Sequence, residues 1–193
     1  MFNLLSCWVC AGCFSLGQPS EELFVARPLT AEGSFTRGIE GPACDAAGNV
    51  YAVNYQREHT IGIEVSPDGK MLYVNESRQR KVWAFRIEPD GSLAAKQLLI
   101  EFPDHGMDGM RCDVDGNLYI TRQGKGTVVK LSPQGDVLRE IGVLGAHPSN
   151  LCFGGPDGRT AYVTEVDRKR IVQFRVDRPG LSWKRWQEAI RAR

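Results

Sequence analysis

The chain lacks most features that would announce its chemistry. Its 24 Lys and Arg stand against 23 Asp and Glu, for a net charge of +1, so no broad field draws it to nucleic acid or to an anionic membrane. Cysteine is scarce beyond the leader: Cys7, Cys10 and Cys13 lie there, and the remaining Cys44, Cys112 and Cys152 are odd in number and lack metal-type spacing. That argues against a disulfide framework, and the three read as small buried hydrophobes pointing the same way. The apolar stretch at the start is too short for a transmembrane span. No helical period of useful length runs between Glu40 and Val176, which leaves an all-β pattern.

The first seventeen residues carry no charged side chain, and Ser15-Leu16-Gly17 places small residues where a signal peptidase reads. Residues 1–17 therefore read as a secretory signal and residues 18–34 as a linker. The protein is expected to be exported, to the periplasm or the exterior. Cys10-Ala11-Gly12-Cys13 resembles a lipoprotein box, so soluble export and a lipid anchor on Cys13 stand as alternatives. The composition, 42% hydrophobic and 24% charged, suits a globular domain, which we place at residues 35–187 with a basic tail over 188–193.

What is present is a repeat. Four segments share one register: EGPACDAAGNVYAV from Glu40, IGIEVSPDGKMLYV from Ile61, DGMRCDVDGNLYIT from Asp108 and NLCFGGPDGRTAYV from Asn150. Each has a glycine eight residues after its opening position (Gly48, Gly69, Gly116, Gly158), then a run rich in Val, Ile, Tyr and Thr. The glycines end tight turns, and the runs Val50–Asn54, Met71–Asn75, Leu118–Arg122 and Thr160–Thr164 read as second strands. Third strands are expected at Lys81–Ile87, Thr127–Leu131 and Ile171–Val176. Fourth strands are expected at Leu93–Glu101, Asp136–Val143 and Leu181–Gln187, with Trp183 and Trp186 of the last one packing between units.

Four antiparallel strands per unit is the pattern of a β-propeller blade. Gly69 to Gly116 is 47 residues and Gly116 to Gly158 is 42, both near the roughly 40–50 of one blade. Gly48 to Gly69 is only 21, half a blade. The chain thus holds about three and a half blades, whereas propellers close with typically 4–8. Exposed sheet edges and apolar inter-blade faces follow, and with them self-association through open propeller edges.

Equivalent opening positions in stacked units come close together, here Glu40, Ile61, Asp108 and Asn150. The oxygen donors among them, Glu40, Asp108 and Asn150, would suit a hard cation such as Ca²⁺, or could cap strands and turns. His105 in PDHGMDGM is a candidate proton shuttle or a structural loop residue. Arg111, three residues past Asp108, could face a substrate carboxylate or a buried acid.

The stretches FTRGIEGPACDAAGNVYAVNY, IEVSPDGKMLYVNES, FPDHGMDGMRCDVDGNLYITRQGKGTVVKLSP and SNLCFGGPDGRTAYVTEV resemble the SMP-30/gluconolactonase/luciferin-regenerating family, over about Phe35 to Gln187. The resemblance implies a six-bladed propeller with a divalent ion, usually Ca²⁺, at the channel mouth, and hydrolysis of sugar lactones such as gluconolactone. It places Glu40 of the EGP motif and Asp108 of the DGM motif on the metal, with Asp108 also the general base. The family's third ligand is the asparagine of a Ser/Thr-Asn-Gly motif, and here Thr60-Ile61-Gly62 stands in its place. Isoleucine cannot bind a cation, so weakened metal binding is expected. Further substrate contacts of the family belong to blades that this chain does not contain. Two other readings stay open: a non-catalytic propeller fragment, and an internally deleted gene product in which one event removed the blades and the ligand together.

Overall fold

The computed structural model describes residues 39–44, 50–54 and 60–192. For the first two strands and the first two residues of the third it describes backbone, together with the side chain of Tyr51. The expected signal 1–17, the linker 18–34, and the side chains of Glu40, Cys44 and Ile61 lie outside the described residues.

β1 (Ile39–Cys44) and β2 (Val50–Asn54) form an antiparallel pair. β3 (Thr60–Val65), β4 (Met71–Glu76), β5 (Lys81–Ile87) and β6 (Leu93–Glu101) form a four-stranded meander. A second consists of β7 (Met110–Cys112), β8 (Leu118–Arg122), β9 (Thr127–Leu131) and β10 (Val137–Gly142). The third sheet, β11 (Pro148–Gly154), β12 (Thr160–Glu165) and β13 (Arg170–Arg175), has three strands. Gly69, Gly116 and Gly158 turn the first hairpin of each sheet at φ of 72°, 84° and 70°, a conformation that side-chain-bearing residues rarely adopt.

The period-2 alternation of these strands builds the core in layers between sheets. Tyr51 packs with Ile63, Val65, Leu72 and Val74. On the other face of the same sheet, Tyr73, Val82 and Ala84 meet Met110, Cys112, Leu118 and Ile120. Tyr119 and Val128 then meet Leu151, Phe153, Ala161 and Val163, with the Tyr119 and Phe153 rings edge to face at 5.1 Å. Leu72 and Leu118 face backward while their neighbours Tyr73 and Tyr119 face forward, so each sheet glues two layers. First strands lie beside first strands: β1 by β3, β3 by β7, β7 by β11.

Two expectations are corrected. The last segment is a helix, α1 (Leu181–Arg191), not a fourth strand. Lys184, Arg185, Gln187, Glu188 and Ala189 are good helix formers, and the turn at Pro179-Gly180 breaks the strand before them. Leu181 enters the core between the first two complete sheets, Trp183 packs on Gly158 where a Cβ would not fit, and Trp186 is exposed rather than packed between units. Cys152 is exposed while Cys112 is buried, so the cysteines do not share an environment. The reason is the Gly154-Gly155 pair, which puts one more residue between Phe153 on the first strand and the turn glycine of the third sheet than lies between Cys112 and the turn glycine of the second. Leu151 and Phe153, not Cys152, therefore take the places of Met110 and Cys112 against the preceding sheet.

Candidate functional site

The entrances to the inner strands are set by side chains at the ends of the second strands. Asn75, at the end of β4 and fully buried, accepts from the Gly62 N–H at 2.9 Å and donates to the Asp108 carbonyl oxygen at 2.5 Å. Thr121, at the matching place in β8 and equally buried, donates to the carbonyl oxygens of Gly109 (3.2 Å) and Ser149 (3.3 Å). Each staple joins its own blade's inner glycine to the entrance residue of the next blade. Gly62 is required here, since a Cβ on it would meet the Asn75 amide and come within 2.6 Å of the Asp108 carbonyl.

These bonds correct the register of one predicted residue. Thr164 donates to Asn150 O at 3.2 Å as Thr121 does to Gly109 O, so Asn150 is the counterpart of Gly109 and Ser149 that of Asp108. Asn150 stands one place past the entrance, its Oδ1 accepting from the Leu151 N–H at 2.8 Å and its side chain lying on Gly109. The added residue at Gly154-Gly155 displaces it. Ser149 Oγ, 2.8 Å from Thr164 Oγ1, was missed because serine breaks the oxygen-rich column only mildly and the shared glycine pointed elsewhere.

Asp108 donates its N–H to Thr121 O at 3.0 Å, and Gly109 donates to Ser149 O at 2.8 Å. The approach to Asp108 is equally tied down. Arg122, 1% exposed, lies with its guanidinium 3.7 Å from the Phe102 ring centre. It donates to the Asp104 carbonyl (2.6 Å), to Asp104 Oδ1 (2.8 Å) and to Gly106 O (3.4 Å). Met107 donates its N–H to Ser77 Oγ at 3.1 Å. His105 is exposed on this segment at φ 43°, beside Gly124.

Below Asp108, Arg111 on β7 donates to Met110 O at 2.6 Å and lies 4.0 Å from Glu64 on β3. Both alternatives for Arg111 thus have a counterpart, because the same side chain also lines a cavity with Asn150. Burial pushes the Glu64 carboxyl up to about 7, against the opposing pull of Arg111 and, from α1, Arg185. Burial likewise raises the Cys112 thiol well above its ordinary range, so it is an inert core group.

The described donors do not fit a Ca²⁺ site of six to eight oxygens. Among the described residues no group of three or more His, Cys, Asp and Glu side chains could hold a metal ion. Asp108 is present, but isoleucine at position 61 has no side-chain donor, and no helix among the described residues is long and apolar enough to cross a membrane.

Loss of the Asn75 staple strands a buried N–H and a partly buried carbonyl. Asn75→Ala is expected to cost about 2 kcal/mol in urea unfolding, and a cost under about 0.5 kcal/mol would mean that water replaces the amide.

Antiparallel sheets stacked face to face with their first strands side by side are blades, and the protein is a β-propeller of about three and a half of them. Residues 45–167 match the family described as SMP-30/Gluconolactonase/LRE-like region, and the chain belongs to that family. It is 31% identical to a 6-deoxy-6-sulfogluconolactonase of Pseudomonas putida, covering 61% of this chain and 42% of that one. It is 30% identical to a gluconolactonase of Zymomonas mobilis, covering 58% and 35%. In fold it is similar to regucalcin of Agrobacterium tumefaciens, described as a calcium-binding protein, at 22% identity and a TM-score of 0.56, covering 70% of this chain and 51% of that one. The chain thus spans about half the length, or less, of the relatives it matches.

Proposed function

We propose that this chain is a gluconolactonase-type carboxylic ester hydrolase, opening sugar lactones with Asp108 as the base. The observation that carries the reading is the fixed entrance of β7, where Asn75, Thr121 and the Arg122-held segment fix the backbone on both sides of Asp108. A carboxylate so held can take a proton from water as that water adds to the lactone carbonyl. The acyl–oxygen bond then breaks, and the ring oxygen leaves as a hydroxyl once protonated. The relatives named as lactonases support this reading. A divalent cation such as Ca²⁺, which the family likeness implies, would need Asp108 together with Glu40 and donors beyond the described residues. No step of this reading runs through it. The expected result is opening of glucono-1,5-lactone above the buffer rate, followed by acid release, with Asp108→Ala lowering turnover about a hundredfold. Equal rates for the two proteins would refute the proposal.

A second reading, a non-catalytic blade array that pairs with another copy, is favoured by the open face of the third sheet. There Ile171 is 68% exposed, and among the described residues the outer edge of β13 pairs with no strand. Light scattering that gives a monomer at all concentrations would remove it. Export remains a proposal from residues 1–17, tested by cell fractionation with and without them.

A further inference from the structure

Where Arg111 of β7 meets the open face of the third sheet lies a cavity of about 250 Å³ whose lining includes Arg111, Asn150, Cys152, Tyr162, Thr164 and Ile171. Most of its surface is apolar, and its charged and amide groups are the Arg111 guanidinium and the Asn150 side chain, with no carboxylate among the lining residues. The Arg111 guanidinium spends Nη1 on Met110 O and leaves Nε and Nη2 without a hydrogen-bond partner among the described residues. Asn150 spends its oxygen on the Leu151 N–H, which leaves its NH₂ as the group on offer. The side chain of Asn150 rests on Gly109, the residue that follows Asp108 in the chain. Among the described residues the acid paired with Arg111 is Glu64 at 4.0 Å, too long for a hydrogen bond, so the free N–H groups of the guanidinium remain available.

We propose that this cavity is an oxyanion subsite, in which Arg111 and Asn150 hold a carboxylate or sulfonate carried by the small molecule that the chain hydrolyses or by its product. The inference rests on the lactone-hydrolase reading for the identity of that molecule, but the anion site stands on its own geometry. A guanidinium offers two parallel N–H groups to such an anion, and its planar fork discriminates against a neutral hydroxyl. Two sources present this chemistry. One is the carboxylate formed when a lactone opens, and the other is an acidic substituent on the sugar. The first makes Arg111 a product-release determinant, and the second makes it a substrate-specificity determinant.

The test is calorimetric titration of the full chain with gluconate, with 6-deoxy-6-sulfoglucose and with glucose as the neutral control. Both anions, or one of them, should bind at least tenfold more tightly than glucose. Gluconate alone assigns the product carboxylate, and the sulfonate assigns the substituent. Arg111→Gln should weaken the anion at least tenfold, and Arg111→Lys, which keeps the charge but loses the fork, should fall between. Asp108→Asn should leave anion binding within about twofold even as it removes turnover, which separates failure of the subsite from failure of the hydrolase reading. Thermal melts confirm that each variant is folded. Glucose binding as well as the anions, or anion affinity untouched in folded Arg111→Gln, overturns the proposal.

Discussion

Arg122→Met is expected to lower the stability of the protein by about 3 kcal/mol, read as a shift of the urea midpoint without a change in slope. The guanidinium is buried over the Phe102 ring and holds two backbone carbonyls, Asp104 O and Gly106 O, that no other described group satisfies. Methionine fills much of the volume but donates nothing. Each stranded carbonyl then costs about 1–3 kcal/mol, and the stacking on Phe102 adds about 1 kcal/mol. The paired acids moderate the loss, since Asp104 and Glu140 keep Lys125 at 3.4 and 3.1 Å and remain partly in water. Arg122→Lys should recover less than half, because an ammonium cannot reach both carbonyls and lie flat on the ring. A loss below about 1 kcal/mol for the methionine variant would show that Arg122 behaves as an ordinary surface ion pair.

Glu64→Gln is expected to act in the opposite direction and only above a threshold pH. The folded protein holds the Glu64 proton up to about pH 7, against an ordinary value of 4.5, so the folded state binds it more tightly than the unfolded chain. Stability from this group is therefore fully present below about pH 4.5, declines as pH rises, and is gone above about 7. The 2.5-unit difference corresponds to about 3 kcal/mol. The groups facing the carboxyl are Arg111 on β7, Arg185 on α1 and the Cys112 thiol, and the two arginines already oppose the shift. Glutamine removes the charge, so the variant should be about 3 kcal/mol more stable than the parent at pH 8 and equal to it at pH 4. Unfolding curves at the two pH values decide the matter. Parity at pH 8 would mean that the carboxylate is solvated or fully paired in the folded state.

Much of the architecture could be read from short-range chemistry. Gly69, Gly116 and Gly158 mark the turns because only glycine sits easily at their positive φ, and the alternation of Leu72 with Tyr73 and of Leu118 with Tyr119 already names the two faces of each sheet. β2, β5, β6, β8 and β9 match the expected ranges residue for residue. One cause of the misses is that pattern matching by turn glycines ignores insertions. The extra residue at Gly154-Gly155 moved Asn150 off the entrance and Cys152 out of the core. Leu181–Arg191 carried aromatic residues that fit a strand, but its Lys, Gln, Glu and Ala belong to a helix. Asn75 and Arg122 had no local signal at all. Their partners lie 13 to 33 and 16 to 18 residues away, and a buried polar side chain declares itself only when the fold supplies the groups it satisfies.

The Asn75 and Thr121 staples carry an implication for how such a protein can change. Each spans two adjoining blades and no more, so the pose of Asp108 is inherited from its immediate neighbours rather than from a finished ring. In an architecture of nearest-neighbour couplings, whole units can be gained or lost upstream without disturbing a residue two units away. Blade number and site geometry are then separately heritable. The β7 entrance keeps both of its staples although only 21 residues separate Gly48 from Gly69.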